Sequence, residues 1–138
     1  MTHETTPSIV RINPPELGTP PGYSQVVDVS ANRIIFIAGQ TALDRDGNLV
    51  GKNDFAAQAA QVFSNLAIAL AAGNCTASNV VKLTVFLTDM GNLALYREAR
   101  NRFFASVTPP AAPAVTLVEV SKLYGPDFMI EIEAIAAA

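Results

Sequence analysis

Glu131 and Glu133 stand two residues apart in the run Ile130-Glu131-Ile132-Glu133-Ala134. Successive side chains of an extended strand point to opposite faces, so both carboxylates share one face and Ile130 and Ile132 take the other. A carboxyl group enclosed by apolar walls is pushed toward neutrality, where it can both take and give a proton; in bulk water it simply stays ionised. Solvation, or pairing with cations of a neighbouring subunit, is the other reading of the pair. A second charged cluster is Arg97-Glu98-Ala99-Arg100-Asn101-Arg102. At about 100° per residue, Leu93, Tyr96, Ala99, Phe103 and Phe104 mark a buried helical arc. Arg100 falls inside that arc and Arg97 on its edge, while Glu98 and Arg102 project outward. A cation inside an apolar arc either snorkels to the rim or finds a buried partner.

Other chemistries are poorly served. The single cysteine, Cys75, rules out an intrachain disulfide and a cysteine-based zinc site, and no base lies near it in sequence. The only histidine, His3, sits in a polar N-terminal stretch, so no Ser-His-Asp set can form in an ordered core. The eight glycines are scattered and build no phosphate loop. Asp44 and Asp46 belong to the turn Asp44-Arg45-Asp46-Gly47-Asn48 rather than to a metal site. No metal and no cofactor are therefore expected. The net charge of −3 and pI near 5.0 leave no basic stripe for phosphates, so a nucleic-acid partner is not expected either. Residues 1–8 lack the features of a signal peptide, and no apolar run stands out as membrane-spanning; the expectation is a cytoplasmic protein without membrane contact.

The elements that must position these residues follow from the pattern of the chain. Its 138 residues, half apolar and 15% charged, predict one domain over 1–138. Surplus apolar surface on so small a domain favours homo-oligomerisation. Residues 1–20, with Pro7, Pro14, Pro15 and Pro20, predict a proline-rich arm, and order is expected from Tyr23. Strands over 24–29 and 34–39 read as a hairpin turning at Ala31-Asn32-Arg33, the second strand apolar enough to be buried on both faces. Phe55, Ala59, Val62, Phe63, Leu66, Ala69 and Leu70 recur at helical spacing behind a cap at Asn53 or Asp54, with Gly73 as the left-handed end. A strand over 79–88 follows, then a helix opened by Asp89 or Asn92 and running to Ala105. Strands over 115–120 and 128–136 close the chain. This is an α+β order, simplest as a mixed, mostly antiparallel sheet with two helices on one face and the other face awaiting a partner.

Four segments in this order resemble the RidA/YjgF (reactive intermediate deaminase) family, also known as L-PSP proteins: Pro21-Gly22-Tyr23-Ser24-Gln25, Ile37-Ala38-Gly39-Gln40, residues 79–90, and Val118-Glu119-Val120 followed by Ile130-Glu131-Ile132-Glu133-Ala134. The resemblance covers nearly everything after residue 20. It implies a chorismate-mutase-like fold, a homotrimer and ligand clefts between subunits. It also implies cofactor-free hydrolysis of enamines and imines to 2-keto acids and ammonia. Glu131 matches the family glutamate that positions or activates water, and Tyr23 matches a tyrosine at the cleft mouth. Ala38 stands where many relatives carry a serine, followed by Gly39, which serves either close backbone approach to a ligand or a strand bulge. Arg97 aligns with a cleft asparagine. The main departure is Pro113-Ala114-Val115-Thr116-Leu117, where Val115 replaces the arginine that grips the substrate carboxylate and Leu117 replaces a cysteine. A guanidinium gives a carboxylate two parallel donors and valine gives none. Altered or reduced deaminase activity is therefore expected, with Arg97 or Arg100 as the relocated anion contact. The alternative is a non-catalytic trimeric scaffold that binds small molecules or protects proteins. RNA cleavage, attributed to some relatives, fits an acidic chain without a histidine pair least well.

Overall fold

The structure is a computed structural model and describes residues 6–138; His3 lies outside that range. Six strands and two helices run in the order β1 (Ser8–Ile12), β2 (Val26–Ser30), β3 (Ile34–Gln40), α1 (Phe55–Ala72), β4 (Val80–Leu87), α2 (Leu93–Phe104), β5 (Ala114–Glu119) and β6 (Ile130–Ala137). The main sheet has the order β3-β6-β4-β5. β6 pairs antiparallel with both β3 and β4, and β4 pairs parallel with β5. The sheet is thus mixed and mostly antiparallel, with the helices packed on one side.

Two readings of the N-terminal third are corrected. β2 does not form a hairpin with β3; it pairs antiparallel with β1 in a separate two-stranded sheet. Among the described residues the first strand therefore falls inside the proline-rich stretch, because Ser8–Ile12 lies between Pro7 and Pro14 and holds no proline that would forfeit a ladder donor. The turn residues Asn32 and Arg33 donate their amides to the Ala138 carbonyl, so the chain end takes up the edge that β2 leaves free. Nor is β3 buried on both faces. Ile37 faces the core, whereas Ile34 and Phe36 point outward, Phe36 at 77% exposure. Continuous apolarity hid this alternation, since both faces of the strand are apolar.

α1 begins at Asp54, whose carboxylate accepts the Ala57 amide at 3.1 Å. The left-handed residue at its end is Asn74, with φ of 57°, rather than Gly73, whose φ is −92°. By length and mean hydropathy (1.4 over 18 residues) α1 reaches the membrane-spanning range, contrary to the sequence reading. Its apolarity is accounted for by the face that Phe55, Ala59, Val62, Phe63, Leu66 and Leu70 bury in the core. Asp89 caps a short 3-10 turn, donating nothing and accepting the Gly91 amide, before α2 starts.

Gln58 interrupts the apolar face of α1. It is fully buried: its amide donates to the carbonyls of Gly51 and Asp127, and its oxygen accepts the Met129 amide. One side chain thus ties the helix start to the residues just before β6. Replacing it by leucine keeps the volume but leaves two carbonyls and one amide without partners. Gln58→Leu is expected to destabilise the fold by about 3 kcal/mol, on a scale of about 1–3 kcal/mol per buried unsatisfied group, read from the urea unfolding midpoint.

Candidate active site

β6 occupies an inner position of the sheet, and its alternation decides which side chains meet the helices. Ile130, Ile132, Ala134 and Ala136 are buried under the helix layer; Glu131, Glu133 and Ile135 face the other way. The strand period placed both carboxylates correctly. Glu131 lies directly across β4 from Phe86, and Glu133 from Thr84. Phe36, Ala38, Lys82, Thr84, Glu133 and Ile135 line a concavity of about 530 Å³ on this outer face. Lys82, on the rim of that concavity, donates to the Thr116 hydroxyl at 2.7 Å.

Gly39 is where β3 makes room for Glu131. The β3–β6 register runs Ile37↔Ala134 and then Gln40↔Ile132, so Ala38 and Gly39 together oppose one residue of β6, a β-bulge. The Glu131 carboxylate fills the space where a side chain of residue 39 would begin; a Cβ there would meet its Oε2, with Cδ at 2.9 Å and Cγ at 3.1 Å. Both sequence readings of Gly39 thus hold in part: it is a bulge, and it admits a close approach, of the glutamate itself. Desolvation pushes the Glu131 pKa above its ordinary value, and the negative charge of Glu133 pushes it the same way. On its far side Gly39 borders a second cavity of about 670 Å³, where Thr41 and Tyr124 share a 2.7 Å hydroxyl hydrogen bond and Asn65 donates to the carbonyls of Thr41 and Leu43.

The remaining predicted residues gather elsewhere. Val115 and Leu117 pair with Leu83 and Val85 and pack against the core on the helix-covered face. Within one chain they are therefore not walls around Glu131, which faces the opposite side. Tyr23 is half-buried beside the entry to β5, since its neighbour Ser24 donates its amide to Pro113 and its hydroxyl to Ala112. The helical arc of α2 is as read: Tyr96, Ala99, Arg100 and Phe104 are buried, and Arg97 is exposed. Gly39 meets Glu131, Arg100 meets the turn at Pro21 and Gly22, and Val115 and Leu117 lie beside β4 on the covered face.

Two features escaped the sequence reading. Gln58 falls three residues after Phe55 in the buried arc, the same signal that singled out Arg100, and was passed over. The Tyr96 hydroxyl is buried beside the Arg100 guanidinium, a placement that depends on packing and leaves no trace in spacing.

Comparison with known proteins bears on this arrangement. The family described as Endoribonuclease L-PSP matches residues 16–138. Protein DfrA of Myxococcus xanthus is 40% identical over 116 residues, 84% of this chain and 85% of that protein. A 2-iminobutanoate/2-iminopropanoate deaminase of Homo sapiens is 34% identical over 114 residues, 83% of this chain and 78% of that protein. Among solved structures, YyfB of Yersinia pestis, a Rid-family protein, superposes with a TM-score of 0.83 at 32% identity, covering 94% of this chain and 98% of its own.

Any side chain added at position 39 must evict the carboxylate it would overlap. Gly39→Ala is expected to turn Glu131 out into water, so that its pKa falls back toward 4.5. A carboxyl-carbon NMR titration of wild type and variant checks this; an unchanged, raised pKa in the variant contradicts it.

Proposed function

We propose, from the premise that this chain belongs to the RidA/YjgF family, to which the Endoribonuclease L-PSP domain corresponds, that it is a cofactor-independent deaminase. It would convert small imines and enamines to 2-keto compounds and ammonia. The observation that carries this reading is Glu131, a carboxyl held above its ordinary pKa against the bulge at Gly39. Such a group, ionised, accepts a proton from water as the oxygen attacks the carbon of the protonated imine, which gives a neutral carbinolamine. It returns that proton to the amine nitrogen, then takes the hydroxyl proton as the C–N bond breaks, so that ammonia leaves and the carbonyl forms. An enamine first takes a proton at its β-carbon to become the imine. Each step is a proton transfer or an addition, so no electron carrier is required.

The reading also calls for a homotrimer. Ile34, Phe36 and Val118 leave an apolar outer sheet face exposed, which a second copy of the chain would cover. Glu131 lies on one face of the sheet and Val115 and Leu117 on the other. A cleft containing both therefore takes Glu131, Ala38 and Gly39 from one copy and Tyr23, Val115 and Leu117 from the next.

Val115 favours a second reading, a non-catalytic trimeric scaffold that binds small molecules or protects other proteins. An aliphatic side chain donates no hydrogen bond to a substrate carboxylate.

Coupling the protein to an amino-acid oxidase, which releases imines, separates the two. A deaminase accelerates ammonia release; a scaffold leaves it at the rate set by water. Glu131→Gln is expected to lower the acceleration by about 100-fold, and full activity in that variant would remove Glu131 from the mechanism. Phe36→Asp is expected to shift the light-scattering mass from trimer to monomer, and a wild-type protein that is itself monomeric would sink the shared-cleft reading.

A further inference from the structure

The cavity of about 670 Å³ beyond Gly39 is not lined by Glu131, and the reaction described above leaves it unused. Part of its wall is a relay of side-chain amides whose orientation is forced. Asn65 donates its two amide hydrogens to the carbonyls of Thr41, at 3.1 Å, and Leu43, at 2.9 Å. Gln61 donates its own to the Asn65 oxygen, at 3.0 Å, and to the Leu43 carbonyl, at 3.3 Å. Exchanging oxygen for nitrogen in either amide would set acceptor against acceptor. Gln61 therefore has only its oxygen left to offer, and that oxygen takes no hydrogen bond among the described residues. Gln40 repeats the pattern, since its Nε2 donates to the Ala38 carbonyl at 3.0 Å. Asp44 lines the same cavity; its Oδ1 accepts the amides of Asp46 and Asn48, both at 2.9 Å, and no such bond reaches Oδ2. The unspent polarity of these side chains is thus mostly acceptor, and one of the acceptors is a carboxylate. Two donors stand against them: the single proton left over from the 2.7 Å bond between the Thr41 and Tyr124 hydroxyls, and Arg45, which is exposed.

The rest of the lining is apolar, from Leu43, Ile68, Ala69 and Ala72. Ile68 and Tyr124 remain 66% and 71% exposed, large side chains that the fold itself does not cover. The Tyr124 ring is held in place by its hydroxyl bond and by Phe128, at 4.8 Å between centroids.

We infer that this cavity binds a primary organic ammonium with an apolar body, an arylalkylamine in its protonated form. An ammonium group brings three donors and no acceptor, the complement of the Gln61 and Gln40 oxygens and the Asp44 carboxylate. The face of an exposed tyrosine ring attracts a cation. The apolar body displaces water from Leu43, Ile68, Ala69 and Ala72. Arg45 is the opposing charge, and its exposed position leaves it screened by solvent. The inference does not depend on the deaminase reading, with which it shares only Gly39.

Calorimetric titration of the full-length protein at neutral pH with phenethylamine, phenethyl alcohol and phenylacetate tests it, since the three share one aryl body. The amine is expected to bind, with the alcohol and the acid weaker by about tenfold or more, the scale of a charge-assisted hydrogen bond. The side-chain amide resonances of Gln61 and Asn65 are expected to shift as the amine is added. Asp44→Asn keeps the oxygen that closes the turn and removes the charge, so the fold is not at stake; it is expected to weaken the amine by about tenfold. Arg45→Gln is expected to tighten it. A site built for anions reverses both signs. Tyr124→Phe, which keeps the ring, is expected to bind nearly as wild type, and Tyr124→Ala several-fold more weakly. Glu131 and Glu133 are the other carboxylates an amine could seek, so a variant with both replaced by glutamine is expected to bind phenethylamine unchanged. Loss of binding in that double variant, equal affinity for the alcohol, preference for phenylacetate, wild-type affinity in Asp44→Asn, or no binding of the amine to the wild type overturns the inference. Imine hydrolysis measured alongside bears on Glu131 alone: a protein that binds the amine and hydrolyses no imine defeats the deaminase reading and leaves this one standing.

Discussion

The two-residue period of β6 is the constraint on which the rest of the molecule depends. The strand lies between β3 and β4 and turns Ile130, Ile132, Ala134 and Ala136 into the core while holding Glu131 and Glu133 away from it. A slip of one residue against either neighbour would exchange the faces. Two carboxylates would then enter an apolar interior, at an effective cost of several kcal/mol for each unpaired ion, and four apolar side chains would leave it. The register is therefore specified by the same residues that build the core. Glu131 owes its position to them: its neighbours on either side are completely buried, and the Gln58 bonds to Asp127 and Met129 fix the point from which the strand departs. The bulge at Ala38-Gly39 adds the one local adjustment, opening β3 where the carboxylate lies.

The sheet separates charge as well as polarity. Glu131 and Glu133 are on the open face, and Phe36 and Ile135 line the concavity with Glu133. Arg97 and Arg100 are on α2, on the covered side. A reaction that needs a proton shuttle and an anion grip at once cannot be run by one isolated chain in this geometry, because the sheet itself stands between the two. Assembly would then be part of the chemistry rather than an addition to it. The same logic explains how so apolar an outer face can be tolerated. A surface that would be a liability on a monomer is the natural wall of a site between copies.

Much of this architecture is legible in the sequence because periodicity reports burial. The arcs of α1 and α2, the alternation of β6 and the position of Arg100 inside an apolar stripe all follow from which residues recur at intervals of two or of three to four. Pairing is another matter. Residues 24–29 and 34–39 are short, adjacent and joined by a turn, and local reasoning makes them a hairpin. Their actual partners are β1 and β6, the latter nearly a hundred residues away, and nothing local encodes that choice. The face of β3 was obscured for a related reason: where both faces are apolar, one toward the core and one toward open surface, alternation carries no signal. The candidate site divides along the same line. The periods of β6 and α2 each assign the face of Glu131 and of Arg100. That Val115 and Leu117 face away from Glu131 follows from the parallel register with β4, which one strand's own pattern cannot reveal.

Arg100 raises a question of economy that composition alone would miss. A methionine or leucine at that position would pack against Tyr96 and Phe104 without desolvating a cation, and replacing buried charge by apolar side chains is commonly neutral or stabilising. The chain instead keeps a guanidinium there and supplies it with two neutral oxygens, the Pro21 carbonyl and the Asn101 side chain. Val115, on the strand beside β4, adds to the core through its contact with the buried cluster.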